Sequence, residues 1–100
     1  MPKSLEEIEE ILKKHKKEIC EKYKVKEIGI FGSFVRGEQK KRSDVDIIVE
    51  FDEEDIPSLL EFIAFERYLE KLLGKKVDLV RKGGIRPELK APILKEVVYI

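Results

Sequence analysis

Three short apolar runs, Lys26–Phe31, Asp44–Phe51 and Val77–Val80, alternate along this chain with stretches whose apolar residues recur at helical spacing. The alternation predicts the order α-β-α-β-α-β-α, with a terminal strand to follow, and a sheet covered by helices mainly on one face. Ser4 and Glu7 have capping-box spacing, and Leu5, Ile8, Leu12 and Ile19 mark one face of a helix over about residues 4–22. Glu9, Lys13, Lys16 and Lys17 form its solvated face. The second strand ends in the acidic run Asp52–Asp55 and Pro57. A helix over Ser58–Leu73 follows, carrying Leu59, Phe62, Ile63, Leu69, Leu72 and Leu73, with Gly74 as its stop. Beyond a Gly83-Gly84 turn, Pro87–Glu96 reads as a short helix interrupted by Pro92, and residues 97–100 read as a terminal strand whose Tyr99 either completes the core, the favoured reading, or belongs to a patch that a partner covers.

Bulk properties narrow the function classes. A chain of 100 residues is expected to form one domain over 1–100. Its 21 Lys and Arg balance 21 Asp and Glu, so no global basic field supports nucleic-acid binding. Cys20, the only cysteine, precludes an internal disulfide. No stretch approaches the ~20 apolar residues of a membrane span, and no signal-peptide pattern opens the chain, so the expected location is the cytoplasm, with no membrane partner.

The first strand delivers the chain to Gly32-Ser33, where glycine permits close approach of an anion and the hydroxyl can donate to it. One helical turn starting at Ser33 would direct backbone N–H groups the same way. After the polar return segment Glu38–Ser43 come Asp44 and Asp46, two apart on a strand and therefore on one face. Asp78, alone in Val77-Asp78-Leu79-Val80, would be costly as a buried unpaired anion and so requires solvent or a cation. Three carboxylates on two strands suit magnesium, which takes hard oxygen ligands and shares its shell with phosphates. Arg36 can either contact phosphate or pair with Glu38; Lys41 and Arg42 read as a solvated loop, with added positive charge near a triphosphate as the alternative, and Ser43 as a turn cap. His15 fits a surface or boundary position, and Cys20 an apolar filler.

Taken in order, Gly32-Ser33-Phe34-Val35-Arg36-Gly37 and Ser43-Asp44-Val45-Asp46-Ile47-Ile48-Val49 closely resemble the minimal nucleotidyltransferases of the DNA polymerase beta superfamily. The resemblance covers the whole chain. It implies an α/β (α+β) nucleotidyltransferase fold with a small mixed sheet. Asp44, Asp46 and Asp78 match the catalytic, metal-binding carboxylates, for two Mg²⁺ ions, and Gly32 and Ser33, with Arg36 beside them, match the triphosphate-binding turn. It further implies transfer of AMP from ATP to a tyrosine hydroxyl of a HEPN-type toxin, which makes the chain an antitoxin. Two other readings stay open: a non-catalytic antitoxin that masks its partner, and transfer to a small-molecule hydroxyl.

Overall fold

The computed structural model describes residues 4–100, and its elements follow the predicted order. Helix α1 (Leu5–Tyr23) begins behind Ser4, whose side-chain oxygen accepts the Glu7 N–H at 3.3 Å. This cap satisfies a donor that a helix start leaves without an intrahelical partner. Strand β1 (Val25–Phe31) runs into the single-turn helix α2 (Ser33–Arg36), and β2 (Val45–Phe51) returns beside β1. A short 3-10 turn (Glu53–Asp55) leads to α3 (Leu59–Leu73), which is opened by a reciprocal Ser58–Glu61 capping box. Then follow β3 (Val77–Arg81), a second 3-10 turn (Lys82–Gly84), α4 (Pro87–Glu96) and β4 (Val98–Tyr99).

The strands form one mixed sheet in the order β3-β2-β1-β4. Strand β1 is antiparallel to both β2 and β4, while β2 and β3 are parallel. Parallel neighbours need a crossover connection, and α3 supplies it. Side chains alternate across the sheet, so one face carries Ile28 and Ile30, Val45, Ile47 and Val49, and Val77 and Leu79. Against these pack Ile8, Leu12 and Ile19 from α1 and Phe65, Leu69 and Leu73 from α3. Tyr23 stacks on Phe65 with ring centroids 4.5 Å apart, and Phe51 meets the same ring edge-on.

Several expectations change on contact with the fold. Strand β2 starts at Val45, so Asp44 lies at its entry rather than inside it. Asp78 is exposed: strand alternation sends Val77 and Leu79 into the core and turns the carboxylate to solvent, so no buried-anion cost arises. Leu59 and Ile63 do not belong to the buried face of α3. With 3.6 residues per turn, the stripe set by Phe65, Leu69 and Leu73 leaves Leu60 and Ile63 on the other side of the helix, and Leu59 in the first turn stays uncovered. Pro92 does not interrupt α4, because the hydrogen bond it forfeits belongs to Glu88, an exposed residue whose carbonyl water can serve. Tyr99 is exposed on the edge strand, and Ile100 packs against the core in its place.

These placements separate two truncations on one helix. Phe65→Ala removes a ring that is 1% exposed and should cost ~3–5 kcal/mol in urea denaturation. Leu60→Ala, at a side chain 79% exposed, should stay within about 0.5 kcal/mol. Equal losses at the two positions would contradict the orientation of α3.

Candidate active site

The face of the sheet turned away from α1 and α3 carries the polar row. Register places Phe31 opposite Asp46, and Asp46 opposite Asp78, across three adjacent strands. Neighbouring strands lie ~4.8 Å apart, so two carboxylates stand side by side at the strand entries. Asp44, two residues before Asp46 at the entry of β2, lies near enough for its charge to act on Asp46. The Val45 N–H donates to the Lys76 carbonyl at 2.9 Å, tying the entry of β2 to that of β3.

Above this row the chain turns at Gly32. Its φ of +80° lies in the region that L side chains rarely adopt, and a Cβ built there would fall inside the Asp46 carboxylate. Glycine is therefore required twice, for conformation and for space. The turn satisfies its carbonyls internally: Gly32 accepts from Val35 and Arg36, each at 3.1 Å, and Ser33 accepts from Glu38 at 2.9 Å. The Ser33 N–H donates to Asp46. The Gly-Ser turn and the acidic row are one constellation.

The electrostatics of the row favour a nearby positive charge. Asp46 is pushed up to about 6, first by partial burial, then by the negative charges of Asp78 and Asp44; the Ser33 N–H and the Arg36 charge pull the other way. A divalent cation would relieve both leading causes, because it replaces lost hydration and neutralises the neighbours. The donor set also fits, being all carboxylate oxygen. Among the described residues, no three acidic, histidine or cysteine side chains are grouped so as to hold a metal ion by themselves, and Asp44, Asp46 and Asp78 are no exception. The chain thus offers part of a coordination shell of the kind magnesium completes with water and phosphate.

Arg36, expected to choose between phosphate and Glu38, is paired with Glu38 through Nε and with Glu96 through Nη1, at 3.0 Å from each Glu96 carboxylate oxygen. Glu96 was not among the sequence candidates. It also accepts the Gly32 N–H at 2.9 Å, across 64 positions of sequence. Ser43 serves as expected, accepting the Lys40 N–H at 2.7 Å. Lys41 and Arg42 lie exposed in a turn as expected, and with Lys75, Lys76, Ser43, Asp44 and Gly74 they line a cleft of about 430 Å³ beside the acidic row. His15 and Cys20 lie on α1, outside this site, with the His15 ring bonded to the Ile11 carbonyl.

A mixed sheet with a Gly-Ser turn over paired strand-entry carboxylates defines a nucleotidyl-transferring class of protein, and the chain belongs to the nucleotidyltransferase domain family, whose model matches residues 12–100. Among its relatives, protein adenylyltransferase MntA of Thermococcus cleftensis is 58% identical over 97 residues, spanning 97% of this chain and 96% of the relative. A Methanocaldococcus jannaschii chain, provisionally assigned as a protein adenylyltransferase, is 52% identical over 99 residues, spanning 98% and 99%. A solved structure described as a minimal nucleotidyltransferase superposes with a TM-score of 0.73 at 31% identity, covering 91% of this chain and 93% of the other. A toxin–antitoxin complex with AMP-PNP shares the fold at a TM-score of 0.71 and 23% identity, covering 86% and 69%.

Because the raised Asp46 carboxyl binds its proton more tightly in the folded than in the unfolded chain, stability falls as pH rises from about 4 to about 6. Without metal, Asp46→Asn should therefore match the wild-type Tm near pH 4 and exceed it above pH 6. Screening of this partly exposed group limits the gain to on the order of 1 kcal/mol, or ~4–8 °C. Adding Mg²⁺ at pH 7.5 should raise the wild-type Tm more than the variant's. Thermal melts across pH, with and without Mg²⁺, measure both effects.

Proposed function

We propose that this chain is a magnesium-dependent protein adenylyltransferase of a toxin–antitoxin pair. It transfers AMP from ATP to a tyrosine hydroxyl of a HEPN-type toxin in the cytoplasm. The observation that carries the reading is the row Asp46–Asp78, with Asp44 beside it, directly under a Gly32-Ser33 turn that only glycine can make. Support for the acceptor comes from the likeness to protein adenylyltransferase MntA at 58% identity along nearly the whole chain. Solved structures of the same fold include MntA–HepT complexes and a tri-AMPylated Shewanella oneidensis HEPN toxin bound to its MNT antitoxin.

Magnesium, when bound, neutralises the phosphate charge and helps a hydroxyl ionise, with two ions as the number expected. Asp44, Asp46 and Asp78 would hold it. The Gly32 turn lets the chain approach the β- and γ-phosphates closely, Ser33 offers them its hydroxyl, and Arg36 adds fixed positive charge close to Asp46. Asp78, exposed at the outer end of the row, is open to an incoming acceptor and takes part in removing the phenolic proton. The tyrosine oxygen attacks the α-phosphorus, the bond from that phosphorus to the bridging oxygen breaks, and pyrophosphate leaves with the electron pair.

No step requires a covalent enzyme intermediate, since the carboxylates position and polarise rather than attack. The nucleotide and the acceptor must therefore be present together, and a face that exposes Asp78 beside an edge-open sheet permits a protein surface to approach. Among the described residues no helix is long and apolar enough to cross a membrane.

Incubation with the toxin encoded beside it, ATP and Mg²⁺ should add AMP-sized increments to the toxin's intact mass. Asp44→Asn with Asp46→Asn should abolish the gain, a rate loss of at least ~1000-fold, while the complex still forms on size exclusion. A bound but unmodified toxin, silenced equally by wild type and variant, would instead mean inhibition by masking.

A further inference from the structure

Glu96 has a place in the fold that its sequence position conceals. Strand β4 pairs with β1 through Gly29 with Tyr99 and Ile30 with Val98. Continuing that antiparallel register by two residues sets Glu96 opposite Gly32, where its Oε1 accepts the Gly32 N–H at 2.9 Å. The same carboxylate takes Arg36 Nη1 on both oxygens at 3.0 Å. One side chain thus joins the first residue of the Gly-Ser turn to the last residue of α2. The turn's carbonyls are answered from within, while its donors are held from outside, the Ser33 N–H by Asp46 and the Gly32 N–H by Glu96.

The approach of β4 is itself prepared by β1. A Cβ at Gly29 would lie 2.5 Å from Val97 Cγ1 and 3.2 Å from both Tyr99 Cδ1 and the Val98 carbonyl. Only a residue without a side chain lets residues 97–99 settle at this distance, and that contact brings Glu96 to the turn. The Ile100 N–H, donating to the Ile28 carbonyl at 2.9 Å, anchors the far end. A two-residue edge strand with little buried area of its own therefore serves as the mount for one carboxylate.

We infer that Glu96 is a positioning residue of the nucleotide site: it holds the Gly32-Ser33 turn and Arg36 in the arrangement that receives the triphosphate, without touching substrate. The inference rests on the nucleotidyltransferase reading above and extends it to the chain's C-terminal segment. Glu96 acts on Gly32 through a backbone hydrogen bond and on Arg36 through charge, so its two contributions are separable. Glutamine keeps an oxygen for the Gly32 N–H but loses the charge that fixes Arg36. Alanine loses both.

The test measures binding of Mg²⁺ with α,β-methylene-ATP, which cannot transfer AMP, to the full chain by titration calorimetry, with a thermal melt of each variant beside it. Glu96→Ala should weaken binding by about 10-fold or more, the loss expected when charge-assisted hydrogen bonds that hold a site are removed. Glu96→Gln should fall between Ala and wild type, and Gly29→Ala, which leaves Glu96 in place but displaces its mount, should also weaken binding. Unchanged affinity in folded Glu96 variants would overturn the inference, even if their Tm fell, since that result describes a purely structural residue. Tighter binding would overturn it too, because the carboxylate would then be competing with phosphate for the turn. If Glu96→Ala does not fold, Glu96→Gln decides by the same comparison with wild type. A wild-type chain that binds no nucleotide would defeat both this inference and the proposed function, whereas binding that is indifferent to Glu96 would defeat this inference alone.

Discussion

Parallel pairing of β2 with β3 brings Asp46 and Asp78 side by side, and much of the remaining architecture accommodates that repulsion. Two like charges at neighbouring strand entries disfavour the ionised state, and partial burial of Asp46 adds to this. The sheet tolerates the arrangement because its other face is strongly stabilised. Val45, Ile47, Val77 and Leu79, the immediate neighbours of the two aspartates, are all buried beneath α1 and α3. Apolar packing on one side of the sheet thus stabilises an electrostatically unfavourable row on the other.

Relief comes from positive potential gathered around the row. The Ser33 N–H and the Arg36 guanidinium both lower the energy of ionised Asp46. Lys41, Arg42, Lys75 and Lys76 line the cleft on the Asp44 side. A chain of zero formal net charge has therefore sorted its charges locally, acidic at the strand entries and basic beside them. A metal–triphosphate complex carries both signs, and such a layout complements it better than a uniformly charged patch would.

Much of this was legible in the residues. The helices, the three main strands and the Gly-Ser turn follow from periodicity, capping and glycine, because those signals are local and act within a few residues. Asp44, Asp46 and Asp78 were legible by type and order, and of the two surroundings open to Asp78, solvent or a cation, alternation on the strand supplies solvent while its apolar neighbours face the other way. The exposure of Leu59 and Ile63 was not legible, since an apolar residue at helical spacing does not state which arc of the helix meets the sheet.

Glu96 marks the boundary between the two kinds of information. By itself the sequence determined the local elements, the presence of three acidic positions and the need for glycine at the turn. These depend on backbone preference and residue chemistry alone. Only the tertiary structure decided that Asp46 lies opposite Asp78, that Lys75 and Lys76 join Lys41 and Arg42 around one cleft, and that a glutamate near the C-terminus answers the N–H of Gly32. Each of those relations is a strand register or a docking between distant segments, set by which side chains fit together in the core, and no local pattern encodes it.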